Sequence, residues 1–173
     1  TLRTSSAASD VYKRQVAEGE KIVDELLKSD LETVNIFSIS EKYKNLKNYI
    51  SINSTQLKQI SNLKSPNNVL GIFKIPANKE IDFNSNIVAL EEINDPGNLG
   101  TIIRLCDWFG VKNIICSENS VDCYNPKVVQ SSMGSISRVS ISYMEFDNLI
   151  SSVSYNTVAA DLHGKSLKEH IFS

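Results

Sequence analysis

The residues with the clearest chemical potential lie in the segment INDPGNLGTIIRLCDWFG, residues 93–110. Hydrophobic spacing predicts a helix here, whose buried stripe consists of Leu99, Ile102, Ile103, Cys106 and Phe109. At about 100° per residue, Arg104 lies about 160° from the centre of that stripe, and Thr101 and Trp108 share its side. A cation and an aromatic ring facing away from the core indicate solvent, a partner or a substrate, and solvent is the commonest reason in a single helix.

The turn before this helix supports two interpretations. Gly97 and Gly100 are three residues apart, which is not the GxGxxG spacing of a dinucleotide site, so an ordinary Rossmann nucleotide-binding protein is disfavoured. Local chemistry alone favours a loop followed by a helix, with Asn98 as the N-cap.

A second polar segment, NPKVVQSSMGS at residues 125–135, has the composition of a short helix. Pro126 suits the first helical turn, and Gly134 suits the position just past a helix end. Ser131 and Ser132 lie near that end and are available to a phosphate or a hydroxyl. Alone, an ordinary helix that stops at a glycine explains the segment better than a binding site does.

Periodicity predicts the elements that must position these groups. In the first half, a helix is predicted with Val16, Ile22, Val23, Leu26 and Leu27 on one face, followed by strands at Val34–Ile39, Tyr49–Ile52 and Val69–Ile75. A Lys-rich helix or loop from Glu41 and a helix over Ser54–Ile60 lie between the strands. Residues 16–80 are therefore predicted to form a small α/β domain, followed by a linker over Ala77–Ser85.

Residues 86–173 carry a second alternation. The predicted strands are Ile87–Leu90, Asn113–Cys116, Arg138–Ser142 and Thr157–Ala160, and the predicted helices are Leu99–Phe109, Pro126–Met133 and Met144–Val153. Strands separated by helices indicate a parallel sheet with crossover connections.

Composition excludes several classes of protein. The hydrophobic content of 41% and charged content of 22% are ordinary for a globular chain. The net charge of −2 does not indicate a nucleic-acid binder, yet residues 40–79 carry seven lysines against one glutamate. Three cysteines without a close pair argue against a disulfide framework or a metal site and favour a reducing, cytoplasmic compartment. No membrane span or signal peptide is predicted, and residues 1–15 are expected to be disordered or non-native.

Together, the two polar segments resemble the SpoU (TrmH-type) family of RNA ribose 2′-O-methyltransferases in the SPOUT superfamily. The first segment carries the family's Asn, its DPxNxG turn and a helix with an Arg and an aromatic-Gly end, through Asn94, Asp95, Pro96, Gly97, Asn98, Gly100, Arg104, Asp107, Phe109 and Gly110. The second matches the family's K-x-x-x-x-S-x-G segment through Lys127, Ser132 and Gly134. VAEGEKIVDELLKS and NLKSPNNVLGIF resemble the family's L30e-like substrate-binding domain.

The resemblance implies an α/β fold: a small L30e-like α/β domain followed by a partial parallel-sheet SPOUT (Rossmann-like) domain. Family members continue into a GxExxG loop and an SLNVS-like segment, which close a trefoil knot around S-adenosylmethionine. Neither motif occurs in these 173 residues. We therefore expect a fragment with an incomplete knot that binds the cofactor poorly or not at all, with Asp161, Leu162 and Gly164 matching one of the cofactor loops.

The resemblance also implies roles for other residues. Arg104 would lie at the ribose 2′-hydroxyl of rRNA or tRNA, with Asn98 nearby, as the catalytic pair. RNA would contact Lys42, Lys44, Lys47, Lys58, Lys64, Lys127, Ser131 and Ser132. The resemblance also implies a homodimer, and Trp108 fits the contact between its subunits. Alternatively, a missing C-terminal segment covers Trp108. The competing interpretation is an RNA-binding module without catalytic activity.

Overall fold

The computed structural model describes residues 13–77, 81–152, 157–160 and 163. The first unit contains β1 (Arg14–Glu18), α1 (Glu20–Leu27), β2 (Thr33–Ser38), β3 (Tyr49–Ser51), α2 (Ser54–Ile60) and β4 (Val69–Lys74), with a 3-10 turn at Glu41–Tyr43. Its sheet has the order β1-β4-β2-β3. β4 is antiparallel to β1 and β2, and β2 is parallel to β3. The predicted α/β alternation is confirmed, whereas the L30e-like detail stays a prediction.

The first strand replaces the start of a predicted helix. Val16 lies in β1 opposite Ile72, not on a helical face with the residues of α1. Gly19 then adopts a φ of 93° and donates its N–H to the carbonyl of Val69 at 2.9 Å. Because this left-handed conformation is open to glycine and is not helical, the helix begins only at Glu20.

The N-terminal boundary also differs from the prediction. Arg14 and Gln15 were expected in the unstructured segment 1–15, but both belong to β1, and Gln15 is buried. Residues 1–12 of that prediction lie outside the described residues.

The second unit contains β5 (Ile87–Leu90), α3 (Pro96–Trp108), β6 (Asn113–Cys116), α4 (Pro126–Ser132), β7 (Ser140–Tyr143) and α5 (Phe146–Ser152). Its three strands are parallel in the order β5-β6-β7, which confirms the predicted parallel sheet. β7 begins two residues later than predicted because a 3-10 turn at Ser135–Ser137 precedes it.

The fourth strand of this sheet, predicted at Thr157–Ala160, is wrong. Residues 157–160 are exposed and irregular, and they form no ladder with any described strand. A strand exists only where a neighbouring strand accepts and donates its backbone hydrogen bonds, so an apolar run alone does not produce one.

The two units share one continuous apolar core. Ile36 and Phe73 of the first unit and Leu99, Ile103 and Val128 of the second belong to the same cluster of buried side chains. Such a cluster normally marks one folding core, so the predicted domain boundary at residues 80–86 separates two sheets but not two cores. Among the described helices, none combines the length and the apolar character needed to cross a bilayer.

Candidate functional site

The N-terminus of α3 is capped by Asp95, not by Asn98 as predicted. The Asp95 carboxylate accepts a hydrogen bond from the backbone N–H of Asn98 at 2.7 Å, and Pro96 occupies the first helical position. Asn98 is therefore the third residue of the helix, and its exposed side chain has no hydrogen-bond partner among the described residues. This frees the Asn98 carboxamide for a ligand.

Arg104 lies on the outward half of α3, as its position opposite the apolar stripe predicts. Its guanidinium is exposed and forms no hydrogen bond or ion pair with the described part of the chain. Six residues separate it from Asn98, which places the two positions about 9 Å apart along the helix axis and about 120° apart around it. Arg104 thus lies near the middle of the outward half and Asn98 near its edge, so the two predicted catalytic residues do not lie side by side.

The outward half of α3 also exposes large apolar side chains. Trp108 is 84% exposed, Leu105 50% and Phe109 75%. The prediction that Phe109 belongs to the buried stripe is wrong. α3 ends at Trp108, and Gly110 has a φ of 77°, so helical periodicity no longer places Phe109 on the buried face.

The two polar segments that the sequence singled out pack directly against each other. A Cβ atom added at Gly100 would lie 1.9 Å from Oγ of Ser131 and 2.9 Å from the backbone nitrogen of Ser132. Oγ of Ser131 also lies 3.1 Å from the carbonyl oxygen of Pro96. Glycine is required at position 100 because α4 approaches α3 too closely there for any side chain.

The two serines of α4 form hydrogen bonds within their own helix, on the side that packs against α3. Ser132 is fully buried and donates its hydroxyl to the carbonyl of Val129 at 2.8 Å, which corrects the expectation that it is available to a phosphate. Ser131 is half-buried, and its hydroxyl lies 2.7 Å from the carbonyl of Lys127. The side chain of Lys127 is exposed and has no acceptor among the described residues.

The end of α4 is fixed by contacts with the first unit. Met133 and Gly134 both have positive φ angles, 52° and 93°. A Cβ atom at Gly134 would lie 2.7 Å from Cβ of Glu25 in α1. The predicted glycine stop is confirmed, and it also lets the two units touch.

An ion-pair network crosses the same contact. Nε and Nη2 of Arg138 each lie 2.8 Å from Oδ2 of Asp107, and Nη1 lies 3.4 Å from Oε2 of Glu25. Arg138 therefore connects the last turns of α3 with α1. Asp107, which matches the family motif, has a structural partner here.

The predicted RNA-binding lysines fall into two groups. Nζ of Lys42 lies 2.6 Å from Asp24 and 3.3 Å from Glu20, and the hydrogen bond to Asp24 raises the pKa of Lys42. Lys44 lies 3.1 Å from Glu41.

Lys47, Lys58 and Lys64 are exposed and have no ion-pair partner among the described residues. Because only an unpaired cation offers its full charge to a phosphate, this second group and Lys127 are the better candidates for RNA contact.

A cleft of about 440 Å³ lies between the two units. Its walls consist of Val16, Glu18, Asn62, Leu63, Asn125, Pro126, Lys127, Gln130 and Ser131. No local sequence pattern marks this cleft, because β1 and α4 lie more than a hundred positions apart in the chain. A strand prediction for residues 14–18 would have pointed to Glu18 as a buried carboxylate, but the segment from Val16 was predicted to be helical.

The three cysteines are free and buried. Burial raises the pKa of Cys106 and Cys123 above the ordinary thiol value and that of Cys116 to about 12. Buried, protonated thiols are poor nucleophiles, so none is a candidate for catalysis. The part of the chain that the structure describes contains no cluster of His, Cys, Asp and Glu suited to a metal ion.

The predicted cofactor residues Asp161, Leu162 and Gly164 lie outside the described residues. At the carboxyl ends of β5 and β6, where parallel α/β sheets bind ligands, the hydroxyls of Ser117 and Ser120 already accept the N–H groups of Glu92 and Ile93 at 2.7 and 3.2 Å. Two backbone donors at this edge are therefore already satisfied within the chain and are not offered to a ligand.

Comparisons with known proteins agree on one family. Residues 85–173 match the model of the SpoU rRNA Methylase family. A relative named mitochondrial rRNA methyltransferase 3, from Xenopus tropicalis, is 26% identical over 85% of this chain and 40% of its own length. The Bacillus subtilis 23S rRNA (guanosine(2553)-2′-O)-methyltransferase RlmP is 25% identical over 68% of this chain and 49% of its own length.

A solved structure shows the same fold. The AdoMet-bound rRNA methyltransferase from Sinorhizobium meliloti superposes with a TM-score of 0.70 and 25% identity, over 83% of this chain and 59% of that one. This chain spans less than half the length of the Xenopus tropicalis and Bacillus subtilis relatives. Since the family model covers more than half of the chain and includes both polar segments, this protein belongs to the SpoU rRNA methylase family.

Proposed function

We propose that this chain is part of an enzyme that transfers a methyl group from S-adenosylmethionine to a ribose 2′-hydroxyl of RNA. The observation that carries the proposal is the unpaired, outward-facing guanidinium of Arg104 on a helix that the α4 contact holds rigidly in place. The name of the Bacillus subtilis relative, which specifies 2′-O-methylation of 23S rRNA, supports this choice of acceptor.

The chemistry assigned to Arg104 follows from its charge. S-adenosylmethionine supplies a methyl group already activated by its sulfonium, so the protein mainly orients the acceptor. A guanidinium keeps its proton at neutral pH, so Arg104 does not serve as a general base. Arg104 instead donates hydrogen bonds that stabilise the developing alkoxide or hold the adjacent phosphate. Asn98 supplies a second free polar group from the edge of the outward half of α3.

Cofactor binding is assigned to Asp161, Leu162 and Gly164, on the resemblance to the family's cofactor loop. We propose that this chain alone binds S-adenosylmethionine weakly and is inactive, because the GxExxG and SLNVS-like motifs of the family do not occur in its 173 residues. Calorimetric titration of the chain with the cofactor tests this expectation, and binding as tight as that of the complete gene product would contradict it.

The ribose assignment is tested with the complete gene product. RNA methylated in vitro is cleaved with alkali, which spares the bond next to a 2′-O-methyl group because the attacking hydroxyl is blocked. A single protected position in rRNA or tRNA is the expected result. A methyl group found on a base, with every backbone bond cleaved, would exclude ribose methylation.

The RNA-binding surface is proposed to use the unpaired lysines and not the paired ones. Binding through phosphates weakens with salt, and this salt dependence becomes shallower as fewer phosphates are neutralised by lysines. We expect Lys58→Ala or Lys64→Ala to weaken binding and reduce its salt dependence. Lys42→Ala serves as the matched control, because that ammonium already faces Asp24 and Glu20. Equal effects of all three substitutions would contradict the assignment.

Further proposals concern assembly and location. The exposed Trp108 and Leu105 support a homodimer through the outward half of α3. Three buried free cysteines support a cytoplasmic location, while the name of the Xenopus tropicalis relative makes a mitochondrial one the competing proposal. Fractionation of cells that express the complete gene product separates the two locations.

One observation favours a second function. The described residues carry unpaired lysines, which an RNA-binding module without catalytic activity would offer as well. RNA binding by the complete gene product without any methyl transfer would favour this module over the enzyme.

A further inference from the structure

We propose that the cleft between β1 and α4 binds an unpaired nucleotide of the RNA, separate from the nucleotide that is methylated. The proposal rests on the proposed RNA substrate and adds a base-binding site made jointly by the two units. The cleft volume of about 440 Å³ falls in the range of small-ligand pockets, about 300–1,000 Å³.

The apolar part of the lining suits the faces of a base. Val16 and Leu63 come from the first unit and Pro126 from the second, so apolar groups stand on both sides of the cleft. The exposed base of a single-stranded loop loses water-exposed surface when it enters between such side chains, whereas a paired and stacked base is not free to enter.

The polar part of the lining suits base edges. The side-chain amides of Asn62 and Gln130 line the cleft from opposite units, and neither has a hydrogen-bond partner among the described residues. A primary amide offers both a donor and an acceptor, which is the combination that base edges require. Glu18, which is 4% exposed, is already satisfied by the hydroxyl of Ser61 and the N–H of Asn62, the latter at 2.9 Å.

Charge at the rim favours RNA over a peptide. The unpaired ammonium of Lys127 lies at the second unit's wall, and Lys64 follows Leu63 directly in sequence at the other wall. The Glu18 carboxylate is already hydrogen-bonded inside the cleft, and Lys127, an exposed cation, belongs to its lining. A nucleotide matches both parts, because its base meets apolar and amide groups while its phosphate meets the lysines.

The test uses this chain and an RNA hairpin that carries one 4-thiouridine in its loop. After irradiation, the crosslinked protein is digested with trypsin, which releases residues 59–64 and 128–138 as separate peptides because Lys58, Lys64, Lys127 and Arg138 bound them. The expected crosslinks fall in both peptides. A duplex with the thiouridine paired should not produce them.

Binding of the same hairpin is then compared between variants. Asn62→Ala and Gln130→Ala should each raise the Kd by roughly fivefold or more, as removal of a hydrogen bond to a base edge does. They should also remove the preference for the hairpin over the duplex. Asn119→Ala is the matched control, since Asn119 is exposed and does not line the cleft. Circular dichroism confirms that each variant is folded.

The outcomes separate this inference from the proposed function. If the hairpin binds, binding weakens with Lys58→Ala, and neither cleft variant changes the Kd or the crosslinked peptides, then RNA binding stands and the cleft assignment is overturned. If no RNA binds under any condition, both proposals fall. Crosslinks confined to the two peptides, together with weaker binding by both cleft variants, support the cleft.

Discussion

The two faces of α3 differ in burial and in the partners of their side chains. On the inner face, Leu99 and Ile103 are completely buried, and Gly100 touches α4 without room for a methyl group. On the outer face, Arg104 and Asn98 have no protein partner among the described residues. One short motif thus encodes two separate properties, in which the inner residues hold the helix still and the outer residues remain free to act.

The largest expected effect concerns the outer face. Arg104→Lys keeps a positive charge but loses the planar set of donors, so turnover in the complete gene product should fall about 100-fold or more, the usual effect of removing one stabilising donor. The thermal midpoint should stay within error, because the side chain is exposed and unpaired. Initial rates and differential scanning calorimetry measure the two properties. Unchanged methylation would remove Arg104 from the mechanism.

The next effect concerns the inner face. Gly100→Ala places a methyl group 1.9 Å from Oγ of Ser131, and overpacking of this kind costs about 1–3 kcal/mol. Urea denaturation should show a lower free energy of unfolding. Gly97→Ala is the matched control, because its Cβ would meet only Asp95 Oδ1, at 3.0 Å. A destabilisation as large for Gly97→Ala would show that glycine content in α3 matters, and not the contact with α4.

A smaller effect on stability is expected at the N-terminus of α3, where Asp95 caps the helix. Asp95→Ala removes the acceptor for the N–H of Asn98 and should lower the free energy of unfolding by about 1 kcal/mol. Asp95→Asn retains a capping oxygen and should recover most of that loss. Equal losses in both variants would indicate that the charge of Asp95, and not its cap, stabilises α3.

The smallest effect on stability belongs to Trp108. With 84% of its surface exposed, Trp108→Ala should change the free energy of unfolding by about 0.5 kcal/mol or less. If the outward half of α3 forms a dimer contact, sedimentation of the complete gene product should nevertheless shift towards the monomer. A variant that stays fully dimeric would place the subunit contact elsewhere.

Sequence periodicity correctly predicted the features that depend on residues close together in the chain, such as the two faces of α3. The spacing of Leu99, Ile103 and Cys106 located the inner face of α3, and the position of Arg104 located the outer one. The same rule failed at Phe109, because periodicity does not report where a helix ends. It failed at Val16 for a related reason, since the conformation of Gly19 decides between strand and helix there.

Contacts between distant residues could not be predicted this way. The approach of Gly134 to Glu25 and the cleft between Glu18 and Gln130 depend on how two sheets pack, which no local pattern encodes. The resemblance to a known family named candidate catalytic residues, but it did not separate paired lysines such as Lys42 from unpaired ones such as Lys58. That separation required the positions of Asp24 and Glu20.

The ion pairs of Arg138 bear on how such proteins can be recombined. Glu25 in the first unit packs against Gly134 and forms an ion pair with Arg138, and both of these residues belong to the second unit. A chimera that cuts the chain between residues 77 and 81 would bring a foreign surface against these positions. A graft of the first unit should therefore carry residues 133–138 with it, so that Glu25 keeps its contacts. The exchangeable part of the protein then includes a segment from the middle of the second unit.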